Sequence, residues 1–328
     1  MEKTLGIVVL ILTLAITLMS CQSHQAGLPS KIERKVLMII FNPIIESEGN
    51  QRLTKVLGWN DPDSLAQVYR ADLLEVSNGF LDYQIVQRIE VDQYPVKLDR
   101  FRYADETFLK CWRERSGFHQ PDGVDYHAIF EQFDIIPKVE RGEIDEVWCF
   151  AFPYSGFWET TMAGQGAFYC NSDPVPHTEH CSRRFITYGF NYEREVGCML
   201  EDFGHASESM LSHLFRHVPK EQNYWEQFTL YDKIAPGRAN CGNVHFAPNS
   251  DKDYDWGNPR YVRSNCDDWY NFPNFKGIIR EVNCEEWGNG DMREHHKWWF
   301  KHIPRAKGQQ NGIYHHWWYY LADPNHIL

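Results

Sequence analysis

Glu201, His205 and Glu208 stand at i, i+4 and i+7 of one stretch of chain. At about 100° per residue, a helix would gather these three side chains within roughly 60° of one another across two turns. Two carboxylates and an imidazole so placed can hold one divalent cation. The mixed oxygen and nitrogen donors favour Zn2+. His245, in Cys241-Gly-Asn-Val-His-Phe-Ala-Pro, is the candidate for a further ligand from another part of the chain. Asp202 and Glu159 are the candidate catalytic groups, as carboxylates that could move protons beside a bound ion. The same pattern also describes the solvated face of an ordinary surface helix, because Val196, Met199, Leu200, Phe203, Met210, Leu211 and Leu214 form an apolar stripe on the other side.

The elements that must position these groups are legible around them. Lys35–Ile45 is a nearly continuous apolar run with β-branched residues and reads as a buried strand. Asp61-Pro-Asp-Ser caps a helix running to about Asn78. Phe80–Val96 alternates like a strand, Tyr126–Val139 is helical in pattern, and Glu146–Phe152 and Arg184–Phe190 read as further buried strands. Glu193–His217 is the strongest helix. Strands alternating with helices imply an α/β layered domain, a mixed sheet with flanking helices, over residues 31–222. From 223 to 328 the periodicity fades and Gly, Pro, Asn and aromatic residues become dense. Eight of the twelve tryptophans lie there, so the expectation is an irregular, aromatic-rich lobe packed on the α/β layer.

The segment Glu201-Asp-Phe-Gly-His205 resembles the HEFGH form of the HExxH helix of zincin metalloproteases. That resemblance implies a zinc-dependent hydrolase in which this helix carries the ligands. Two departures stand out. Glu201 takes the place of the first histidine, and Asp202, one methylene shorter, takes that of the general-base glutamate. No third ligand follows in the usual downstream pattern, so Glu208 would substitute. The phrases Gly156-Phe-Trp-Glu-Thr-Thr-Met-Ala-Gly-Gln-Gly-Ala-Phe168, Gly189-Phe-Asn-Tyr-Glu-Arg-Glu195 and Phe203-Gly-His-Ala-Ser-Glu-Ser-Met210 also look like a group of secreted bacterial proteins without an assigned activity.

The N-terminus reads as an export signal. A charged start is followed by an apolar run from Leu5 to Met19, shorter than the roughly 20 residues a membrane span requires. Leu18-Met19-Ser20-Cys21 resembles a lipobox, which implies cleavage after residue 20, lipid on Cys21 and a polar tether over residues 21–30. The expected partner is a membrane, through that lipid, and the expected location is the cell envelope. A net charge of −12 gives no electrostatic footprint for nucleic acid.

Eight further cysteines in an oxidising compartment permit disulfides. Cys170 and Cys181, bracketing a polar loop, are the first expectation for a bridge, whereas Cys149 and Cys198 suit buried thiols. Asp251, Asp253 and Asp255 alternate like the start of a calcium loop. The sixth and twelfth places hold Trp256 and Val262, which excludes an EF-hand and leaves a simpler Ca2+ site or an acidic turn. There is no CxxC, GxSxG elbow, P-loop or dinucleotide fingerprint. The expectation is a metal-dependent hydrolase of the cell envelope acting on peptide or glycan. The alternative is a non-catalytic glycan-binding or structural surface lipoprotein that uses its aromatic rings.

Overall fold

The computed structural model describes residues 27–328. The expected export signal and the expected lipidation site, Cys21, lie outside the described residues. A five-stranded mixed sheet organises the chain, built from β1 (Ile32–Phe41), β2 (Leu81–Val91), β3 (Glu146–Ala151), β4 (Thr160–Ala163) and β5 (Phe185–Asn191) in the order β2-β1-β3-β5-β4. The first four of these neighbours run parallel, and β4 closes the edge antiparallel to β5. The continuous apolar runs of β1 and β3 have their cause here, because strands central in a sheet covered on both faces have no polar side to show. All six residues of β3 are buried.

Three helices frame the site: α1 (Pro62–Val76), α2 (Val196–Phe215) and α3 (Met292–His302). Asp61 caps α1 by accepting from the Ser64 amide, as its sequence signature demands. The Tyr69 ring of α1 meets Trp148 and Phe190 on one sheet face. Phe185, of opposite strand parity to Phe190, meets Phe130 from the helical segment on the other face. That segment is two short helices, Tyr126–Gln132 and Ile135–Glu140, not the single one expected. Asp134 between them adopts a positive φ of 54°, which ends the first helix.

The region after residue 223 does contain a substantial helix. α3 combines charges with large rings, so it lacks an aliphatic stripe, yet Asp291 three residues before Glu294 is a capping signature that marks its start. Trp287, Trp299, Trp317 and Trp318 are fully buried, and one continuous hydrophobic cluster runs from β1 to Ile327. Most of the aromatic wealth is therefore core. The eight described cysteines are free thiols: Cys170 bonds Thr160, and the Cys181 thiol donates to the Arg183 carbonyl. Among the described residues no helix is long and apolar enough to cross a membrane.

Candidate metal centre

α2 buries Val196, Met199, Leu200, Phe203, Met210 and Leu211, each burial stabilising the helix by about 1.5–3 kcal/mol. Its opposite face meets the loop after residue 240, not bulk water. Glu201 is buried, and His205 is half-buried. Close approach of the loop depends on Gly204: a Cβ there would stand 2.5 Å from Val244 Cγ2, so any larger residue would push away the segment that carries His245.

Glu201, His205 and His245 converge. Their donor atoms lie within 4.8 Å of one another. His245 Nε2 is 3.0 Å from Glu201 Oε1 and 3.1 Å from His205 Nε2, and His205 Nε2 is 3.9 Å from the same carboxylate oxygen. Two donors about 2.0–2.1 Å from one tetrahedral ion stand roughly 3.3 Å apart, so this triangle has the size of one zinc coordination face.

Glu208 is not in the converging set. Its Oε2 lies 3.2 Å from His205 Nδ1, and its Oε1 accepts the Val244 amide at 3.0 Å. One carboxylate thus orients the helix histidine and anchors the loop that brings the other. His245 has a matching support, because Asp253 Oδ1 is 3.0 Å from its Nδ1. With Nδ1–H of each ring donating to a carboxylate, both Nε2 lone pairs point into the same space, the arrangement typical of histidine ligands and their outer partners. Two lone pairs and a carboxylate facing one another call for a proton or a metal cation among them. The titration tendencies agree. Burial opposes charge on His205, but Glu208 raises its pKa above the ordinary range, and the nearby Glu201 carboxylate does the same for His245. For Glu201, burial is outweighed by His245 and the neighbouring imidazoles, which hold the carboxyl below its usual value.

Beside these groups lies a cleft of 470 Å3 at the carboxyl ends of β3 and β5, lined by Tyr154, Glu159, Arg194, Glu201, Asp202 and Tyr254, among others. Asp202 is buried, and burial beside Glu159 and Glu201 pushes its pKa well above the normal carboxylate value. Glu159 is half-exposed on the rim, with its carboxylate 3.9 Å from His205 Nε2. It sits on a segment pressed onto β5 where Gly189 has no side chain to obstruct it: a Cβ there would meet the Trp158 carbonyl at 2.3 Å. Tyr154 and Tyr254 are exposed and line this cleft, and Trp158, between the lining residues Phe157 and Glu159, is exposed as well.

Sequence reasoning missed the parts of Asp253 and Tyr254. Asp253 belongs to the acidic turn read for calcium, and the turn spends its carboxylates internally. Asp251 pairs with Arg260, Asp255 bonds Asn258, and Asp253 goes to His245. The Tyr254 hydroxyl faces Glu201, and burial together with that carboxylate raises its pKa. Nothing in their local spacing indicated either contact. His295 and His296 are both fully buried, as packing residues of α3 rather than an exposed chelating pair. Compared with known proteins, the chain matches no family model, no curated protein and no solved structure.

Proposed function

We propose that the protein is a metal-dependent hydrolase acting on peptide or glycan, with Glu201, His205 and His245 as ligands of a zinc ion. One observation carries this reading: two histidines whose Nδ1 atoms are held by carboxylates bring their Nε2 atoms and Glu201 to a common point beside a cleft. A zinc ion there would supply Lewis acidity for water and for the scissile group. Asp202 on the cleft wall, one residue from a ligand, takes up the proton of the attacking water, and Glu159 on the rim delivers a proton to the leaving group. Tyr254, its hydroxyl facing Glu201, is placed to donate to developing negative charge. The resemblance of Glu201–His205 to the zincin helix supports the same reading. Export and anchoring through lipid on Cys21 are proposed from the lipobox resemblance alone.

The experiment is elemental analysis of purified protein with a parallel assay on peptide and peptidoglycan-fragment panels. The expected result is bound zinc, one equivalent of it lost in His205→Ala and His245→Ala, and hydrolysis that a chelator stops and zinc restores. Metal content unchanged by both substitutions would end the metal proposal. Bound zinc without turnover, together with retention of glycan by the Trp158 and Tyr154 rim, would favour the binding-protein alternative, which the exposed rings support.

A further inference from the structure

A second group of donors lies elsewhere, among Cys266, Asp267 and His302. Cys266 opens a 3-10 turn over Cys266–Asn271, and His302 is the last residue of α3. One donor atom from each lies within 4.8 Å of the others. Cys266 Sγ is 3.7 Å from Asp267 Oδ1, and His302 Nε2 is 3.9 Å from the same oxygen.

His302 is the informative member. Its ring is 3 % exposed and held between Trp298 and Tyr270, at centroid distances of 4.3 and 4.6 Å. Its Nδ1 lies 2.8 Å from the Trp298 carbonyl, which requires the hydrogen on Nδ1 and, in the neutral ring, leaves Nε2 as a bare lone pair. That Nε2 is buried and has no hydrogen-bond partner, an arrangement that costs roughly 1–3 kcal/mol unless something occupies it. It faces Asp267, itself an acceptor. A separation of 3.9 Å is too long for a hydrogen bond. Both it and the 3.7 Å sulfur–oxygen distance are near the roughly 3.3–3.8 Å that separates two donors of one tetrahedral ion.

The other two donors are compatible with an ion. The Arg280 guanidinium takes Asp267 as a fork, through Nε to Oδ2 and Nη2 to Oδ1, using two of about four lone-pair positions and fixing the carboxylate in place. A cation bound there would displace the proton of the Cys266 thiol, whose sulfur is 3.7 Å from Asp267 Oδ1.

We propose that Cys266, Asp267 and His302 form a second metal site, containing sulfur and selective for a thiophilic divalent ion of the zinc class, that ties the Cys266–Asn271 turn to the end of α3. Cys266 and His302 are buried and Asp267 is only partly exposed, and no part of the group lines the cleft beside α2, so its role is to hold the tryptophan-rich region together rather than to meet substrate. It is independent of the centre on α2, which contains no sulfur.

That difference supplies the test. Purified protein stripped of metal and reconstituted with Co2+ under reducing conditions is read by absorption. A thiolate-to-cobalt charge-transfer band in the near ultraviolet is expected, together with one equivalent of bound metal that remains in the His205→Ala/His245→Ala double variant. In that double-variant background both signals should vanish when Cys266→Ser or His302→Gln is added. Should Cys266→Ser fail to fold, the wild-type band and the His302→Gln variant carry the decision. No charge-transfer band in fully reduced wild-type protein at saturating Co2+ would overturn the proposal. So would a band that survives His302→Gln, or peptide mapping that finds Cys266 in a disulfide.

Discussion

His205 and His245 meet nitrogen to nitrogen: their Nε2 atoms are 3.1 Å apart, although the residues are forty positions apart in the chain. Behind each ring stands a carboxylate, Glu208 for one and Asp253 for the other. The four groups form a relay in which two outer carboxylates fix two imidazoles, and these turn their free lone pairs toward Glu201.

The outer carboxylates should therefore tune affinity without being ligands. Asp253→Asn, at an exposed position, and Glu208→Gln, which keeps an oxygen for the Val244 amide, are each expected to weaken zinc binding by about 10–100-fold with folding intact. Competition against a chromophoric chelator measures this. An affinity equal to wild type in both variants would mean that the Nδ1 contacts play no part in positioning. Protons compete for the same nitrogens, and both histidines have raised pKa values, so affinity should fall as pH is lowered.

Asp202→Asn separates chemistry from binding. The side chain lines the cleft and is not one of the converging donors. Metal content should stay at the wild-type level while kcat drops by about 10²–10⁴-fold, the usual worth of a general base. A parallel loss of metal would reassign Asp202 as a ligand.

Gly204→Ala should loosen the helix from the loop. The added Cβ meets Val244 Cγ2 at 2.5 Å, and relief of that overlap is expected to cost about 1–3 kcal/mol of stability, read by urea titration. Because Val244 precedes His245, zinc affinity should fall too. Val244→Ala in the Gly204→Ala background should restore part of both. Restoration of neither would show that helix–loop contact is not what positions His245.

Glu146 should make stability depend on pH. It is 3 % exposed at the start of β3 and accepts from Tyr83 and Trp148. Burial, outweighing the attraction of Arg34, lifts its pKa from the ordinary glutamate value of 4.5 to about 7. The folded protein thus holds this proton more tightly than the unfolded chain does. Its contribution is full below the unfolded value and is lost as pH rises through about 7, a change of about 3 kcal/mol. Glu146→Gln should flatten the slope of unfolding free energy between about pH 5 and 8. A slope unaltered by the substitution would assign it to other groups.

Much of the architecture was legible in order along the chain. β1, α1, β3, β5 and α2 could each be located from a continuous apolar run or a helical stripe, since burial of a central strand or of one helix face leaves a local periodic record. α3 was not located, because its buried face is built from Trp and His side by side with Lys and Arg, and only its Asp291 cap carried a signal. Two of the converging donors, Glu201 and His205, were legible as neighbours because helical geometry fixes i and i+4 on one face.

What the sequence determined by itself is therefore whatever depends on short-range geometry: the strand and helix types, the shared face of Glu201, His205 and Glu208, and the acidic charge. The tertiary structure alone decided that this face is covered rather than bathed in water, that His245 rather than Glu208 joins the converging donors, and that Asp253 supports it. Those outcomes depend on how closely the loop around Val244 can approach the helix at Gly204. That approach is set by packing between segments distant in sequence, which leaves no periodic trace in either one.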